Sequence, residues 1–184
     1  VQGNLDKVKS SAGKLKAALA AVGGALVVRN ILATTAEFQD LRTSLSSVTG
    51  SAEKGAEAFE FVSKFATKTQ FSIQDLSRSF IKLKAAGIEP SQELLNIFTN
   101  TAAITTDQVG SLEAVTDLFA RTVSGGLGLE EIQRLGDRGV PILRILEEQL
   151  GITRSEISEF GKSADGAKKI VDAFGKGIQE QFGG

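Results

Sequence analysis

Apolar residues recur at alternating spacings of three and four along nearly the whole chain, and this period constrains the fold more than any other feature. They fall first at Leu5, Val8, Ala12, Leu15, Leu19, Val22 and Leu26, then at Ile31, Phe38, Leu41, Leu45 and Val48. The spacing returns at Ala56, Phe59 and Val62, at Leu76, Phe80 and Leu83, and at Leu112, Val115, Phe119 and Thr122. Its last stripe is Ala167, Ile170, Val171, Phe174, Ile178 and Phe182. Residues three or four apart share one face of a helix, whereas a half-buried strand needs alternation at two. No alternating run interrupts the pattern, so the chain is expected to be all-α.

Local punctuation divides the pattern into helices. Gly50 supplies a stop and Ser51 a cap. Ser72 with Asp75 has the spacing of a capping box, and Phe71 and Leu76 that of a hydrophobic staple. Gly87 ends that helix, Pro90 is placed to open the next, and residues 105–110 read as a polar connection. Gly125-Gly126-Leu127-Gly128 breaks the chain and reads as a hinge over residues 125–128. Beyond it, Pro141 opens a helix that Gly151 closes, and Thr153 with Glu156 makes a second capping box, flanked by Ile152 and Ile157. The expected architecture is a multi-helix bundle over residues 34–184 with an N-terminal helical arm over residues 1–33.

In that arm, Leu5, Val8, Leu15, Leu19, Val22 and Leu26 form a coiled-coil-like association seam. Gly13, Gly23 and Gly24 weaken it, since each glycine costs a helix interior about 1 kcal/mol relative to alanine.

Chemistry is constrained by what is missing. The 184 residues contain 0 His and 0 Cys, which removes Cys/His zinc sites and every Ser–His or Cys–His nucleophile. Lys plus Arg number 21 against 22 Asp plus Glu, so no basic footprint for nucleic acid exists. Gly161-Lys162-Ser163 looks like the end of a phosphate-binding loop, but Glu156 stands where the first glycine belongs and the preceding segment reads as helix. A glycine stop followed by a serine cap accounts for it. Gly126-Leu127-Gly128 likewise fails as a dinucleotide fingerprint, with Glu131 at the third glycine. Glu130 with Glu131 and Glu147 with Glu148 are neighbours that diverge on a helix, so they read as solvated faces. No catalytic residue, cofactor site or metal site is expected, and the chain is expected not to be an enzyme.

Residues 17–28 are uncharged and apolar, but the run is shorter than the roughly 20 residues a spanning helix needs, and Lys16 and Arg29 bound it. A helix–helix seam is the better reading. With 0 Met and an opening on Val1, the chain is expected to be a fragment or a processed form, and no secretory signal pattern stands at its start.

Two stretches go beyond generic helix. Residues 38–90 read FQDLRTSLSSVTGSAEKGAEAFEFVSKFATKTQFSIQDLSRSFIKLKAAGIEP, and residues 129–157 read LEEIQRLGDRGVPILRILEEQLGITRSEI. Both resemble the helical domain near the N-terminus of the tape measure proteins of long-tailed bacteriophages and prophages. The order of elements carries the resemblance: Thr49-Gly50-Ser51, then Thr69-Gln70-Phe71, then Leu83 to Pro90 closing on Gly-Ile-x-Pro, then Leu135 to Pro141. The chain departs from the family pattern in the stretch of residues 160–164 and in its lack of Met.

The resemblance implies a structural component of a phage tail, part of the protein that sets tail length and scaffolds assembly of the tail tube. It implies a few-copy homo-oligomer and partners among the tail tube, tail-tip and tail-assembly chaperone proteins, with membrane contact only during DNA delivery. The implied location is the lumen of the tail tube in the virion, and the host cytoplasm during assembly. Two rivals stand beside it. One is a membrane-active or toxin-like helical protein that inserts residues 17–28, and the other is a generic signalling or adaptor bundle.

Overall fold

A computed structural model describes residues 36–123 and 126–183. Among the described residues the chain forms nine helices and no strand, as the three-four period requires. They are α1 (Ala36–Thr49), α2 (Ala52–Ala66), α3 (Ile73–Ala85), α4 (Gln92–Ala103), α5 (Gln108–Val123), α6 (Leu129–Asp137), α7 (Ile142–Leu150), α8 (Arg154–Phe160) and α9 (Ala164–Phe182). The chain divides into two units, Val1–Leu41 and Arg42–Gly184. Of the first, the described part is residues 36–41, the opening turns of α1. The arm over residues 1–33 and its boundary with the bundle lie outside the described residues.

Most of the helices start where a side chain meets a backbone amide that the helix itself leaves unpaired, although α7 opens at Pro141 without a side-chain cap. Ser51 Oγ accepts from Lys54 N at 3.1 Å. Ser72 Oγ accepts from Asp75 N at 3.1 Å, while its hydroxyl donates to Asp75 Oδ2 at 2.5 Å. At α8 the backbone N–H of Thr153 donates to Glu156 Oε2 at 2.7 Å, the return arm of a capping box. That bond, with the one from the Thr153 hydroxyl, holds the exposed Glu156 carboxyl below its ordinary value.

Two starts differ from expectation. Pro90 does not open α4; Ser91 caps it, accepting from Leu94 N at 3.1 Å, and the first helical residue is Gln92. The serine hydroxyl satisfies an orphan amide, which a proline cannot do. Residues 108–110, expected in a connection, belong to α5, because Asp107 Oδ1 accepts from Gly110 N at 3.1 Å. At the other end of α3, Ile88 N donates to Leu83 O at 2.9 Å and Gly87 N to Lys84 O at 3.0 Å. This double closure needs a left-handed residue, and Gly87 supplies it at φ +82°.

Packing within the second unit is organised by α5 and α9. Helix α5 lies against α3, α4, α6 and α9, and α9 lies against α4, α5, α7 and α8, while α2 packs on α3. Leu112, Val115 and Leu118 of α5 are almost fully buried, as are Leu95 and Phe98 of α4 and Ile170, Phe174 and Ile178 of α9. Phe98 meets Phe119 edge-on with centroids 4.8 Å apart, an arrangement contributing about 0.5–1.5 kcal/mol beyond area burial. Where α7 runs beside α9, polar side chains tie their rims: Arg144 Nη2 to Gln181 at 2.9 Å and Gln149 Nε2 to Glu180 at 2.8 Å.

Candidate functional site

The Gly126-Leu127-Gly128 segment and the Gly161 turn, both weighed above as ligand loops, pack against each other. Gly161 caps the C-terminus of α8, and Ser163 caps α9 by accepting from Gly166 N at 3.0 Å. The stop-and-cap reading of Gly161-Lys162-Ser163 is therefore the one the fold uses. Leu127 N donates to Gly161 O at 2.8 Å, and the Leu127 side chain is 2% exposed. A β-carbon on Gly161 would overlap Leu127 O, so this glycine answers a close backbone approach rather than a phosphate. Residue 125 of the expected hinge lies outside the described residues, and residues 126–128 are held against the α8–α9 turn.

Glu131 is the residue that sequence reasoning misplaced. It was expected on a solvated face with Glu130, yet it is 5% exposed, whereas the Glu130 side chain is open to solvent and pairs with Arg134 at 2.7 Å. One Glu131 oxygen accepts from Gly128 N at 3.0 Å and the other faces Arg121 Nε at 3.3 Å. A buried carboxylate persists when its charge is matched and its lone pairs are used, and here it fastens the start of α6 to the end of α5. The one advance signal was the Gly-x-x-Glu spacing of a capping box, hidden because glycine offers no capping side chain.

Among the described residues, two grooves offer space for a ligand. The first, about 350 Å³, is lined by Lys82, Ala86, Asp117, Ala120 and Arg121. Its charges neutralise one another, with Lys82 on Asp117 and Arg121 on Glu131. The second, about 390 Å³, runs between α4, α5 and α9 over Leu94, Ile97, Phe119 and Val171, and Gln179 donates to Glu93 across its rim at 3.3 Å. It is an apolar trough without a nucleophile or base.

Among the described residues no group of three or more Asp or Glu is placed to hold a metal ion. The perturbed cations are exposed and locally explained: Arg134 is raised by its hydrogen bond and charge contact with Glu130, and Lys168 by those with Asp172. Perturbed groups mark chemistry when they sit desolvated in a cleft, and these do not. Mg-ATP at millimolar concentration should therefore leave the melting temperature unchanged, because a ligand that binds the native state raises it by mass action. A concentration-dependent rise in a thermal-shift titration would restore the Gly161 loop as a nucleotide site.

The association seam of Leu5, Val8, Leu15, Leu19, Val22 and Leu26 lies outside the described residues, as does the apolar run of residues 17–28. No helix among the described residues is long and apolar enough to cross a membrane.

Comparison with known proteins gives the family. Residues 29–184 match the family model described as "Tape measure protein". The chain is also similar to the Mu-like prophage FluMu protein gp42 of Haemophilus influenzae, with 28% identity over 166 residues. That alignment covers 86% of this chain and 25% of the relative, so the chain spans about a quarter of that protein's length. No solved structure matches. The match over residues 29–184 takes in every described helix, and with it the chain belongs to the tape measure protein family.

Proposed function

We propose that this chain is a folded, non-catalytic module of a phage tail tape measure protein, the long chain that sets tail length while the tail tube assembles. The observation that carries the reading is the family match over residues 29–184, to which the similarity to a Mu-like prophage protein adds. It is supported by a helical module whose loops serve as caps and backbone contacts rather than as ligand sites. Tail-associated partners follow from that context: other copies of the chain, the tube, tail-tip and tail-assembly chaperone proteins. The lumen of the tube is the location this role assigns. The rival membrane-active reading finds no support in the described helices.

The experiment is a length series in the parent protein. An in-frame deletion of 50 residues from a predicted helical stretch outside this module should shorten the tails by roughly 75 Å, at 1.5 Å per helical residue. Electron microscopy of intact tails measures it. Tails of unchanged length in several such deletions would remove the tape measure role from the parent protein.

A further inference from the structure

The polar residues of α3 divide into two flanks with different fates. At 3.6 residues per turn, Ser79 lies roughly 100° to one side of Phe80 and Ser77 roughly 60° to the other. Ser79 faces α5, where Thr116 Oγ1 donates to its hydroxyl at 3.0 Å. Phe80 meets Phe61 of α2, with ring centroids 6.2 Å apart, so Ser77 lies on the flank towards α2. Ser77 is 0% exposed, and its hydroxyl has no hydrogen-bond partner. Beyond α2 the pattern continues. The buried Ser63 hydroxyl is also without a partner, and Arg42, stacked on Phe59 at 4.6 Å, has a buried Nε with no acceptor. Helix α2 approaches α1 closely at Gly55, where a β-carbon would overlap Ser46.

Three buried polar atoms without a hydrogen-bond partner therefore lie in α1, α2 and α3 with no opposite charge beside them, whereas on the α3–α5 side Ser79 is bonded to Thr116 and the Asp117 carboxylate, one oxygen of which takes no hydrogen bond, is ion-paired with Lys82. Among the described helices, packing is uneven in the same sense, since α2 rests mainly on α3 whereas α5 and α9 each hold four neighbours. Separation of α2 from α3 would let water reach Ser77, removing the penalty of a buried hydroxyl without a partner.

We propose that α2, together with residues 42–49 of α1, opens away from α3 as a cooperative unit before α3–α9 unfold. The module then gives up its structure in a fixed order, beginning at its N-terminal side. This property does not depend on what the parent protein does. Such sub-global units are what native-state exchange resolves.

The test is hydrogen exchange with mass spectrometry on the whole 184-residue chain at increasing sub-denaturing urea. Peptides from α2 should exchange through an opening with lower free energy and weaker urea dependence than peptides from α5 and α9. Ser77→Ala removes the unmatched hydroxyl in the closed state while α3 stays helical in both, so α2 exchange should slow roughly tenfold with α9 unaffected. Ser79→Ala, on the flank facing α5, should not slow it. The proposal is overturned if α2 and α9 share one opening free energy and urea dependence. It is equally overturned if Ser77→Ala leaves α2 exchange unchanged or faster.

Discussion

Phe174→Ala should lower the unfolding free energy by about 3–5 kcal/mol, the range for truncating a buried phenylalanine. Phe174 is 0% exposed and sits on α9, which packs against α4, α5, α7 and α8, so the hole would open where several helices meet. Little relaxation is available to fill it. Each of the neighbouring faces already holds fully buried side chains, among them Phe98, Leu118 and Ile145. For a chain of this size each kcal/mol corresponds to roughly 2–4 °C in melting temperature, so a fall of about 6–20 °C is expected. Urea unfolding followed by circular dichroism would read the change as a lower midpoint at constant slope. A loss under about 1 kcal/mol would mean that α9 is not part of the cooperative core.

The helices themselves were legible because their signals are local. A three-four stripe needs only the chain's own period, and Ser51, Ser72 and Thr153 stand three residues before the amide or carboxylate they engage. What escaped depends on partners distant in sequence. Glu131 reads as surface by its charge and by its neighbour Glu130, and only the approach of Arg121 from α5 makes its burial tolerable. The contact between residues 126–128 and the Gly161 turn joins loops more than 30 residues apart, and neither loop carries a side chain that announces the other. Asp107 was overlooked for a different reason. Gly110 and the polar run before it read as a loop, yet the aspartate cap outweighs the cost of about 1 kcal/mol for a glycine inside the first turn. The family was read from the order of caps and turns, because those are properties of the chain before it folds.

The second large effect is expected at Gly161, and it separates a backbone contact from a backbone conformation. Gly161 has φ −72°, an ordinary right-handed value, so alanine there suffers no conformational strain. Its β-carbon would instead overlap Leu127 O and press on Ile157 O at 3.2 Å and Ile170 Cδ1 at 3.3 Å. Two of these obstacles are carbonyl oxygens, which move only if the backbone moves. Relief requires pushing residues 126–128 away from the α8–α9 turn, which breaks the Leu127 N to Gly161 O bond and draws the Leu127 side chain out of the core. Overpacking of this kind costs about 1–3 kcal/mol or more. Gly136, inside α6, is the opposite case, because nothing lies within 4 Å of a β-carbon built there. Gly136→Ala should therefore stabilise by about 0.5–1 kcal/mol through helix propensity alone. Chemical denaturation of the two variants beside the parent chain gives both signs at once. Equal stabilisation by the two alanines would show that Gly161 stands in open space and that residues 126–128 are not held by the α8–α9 turn.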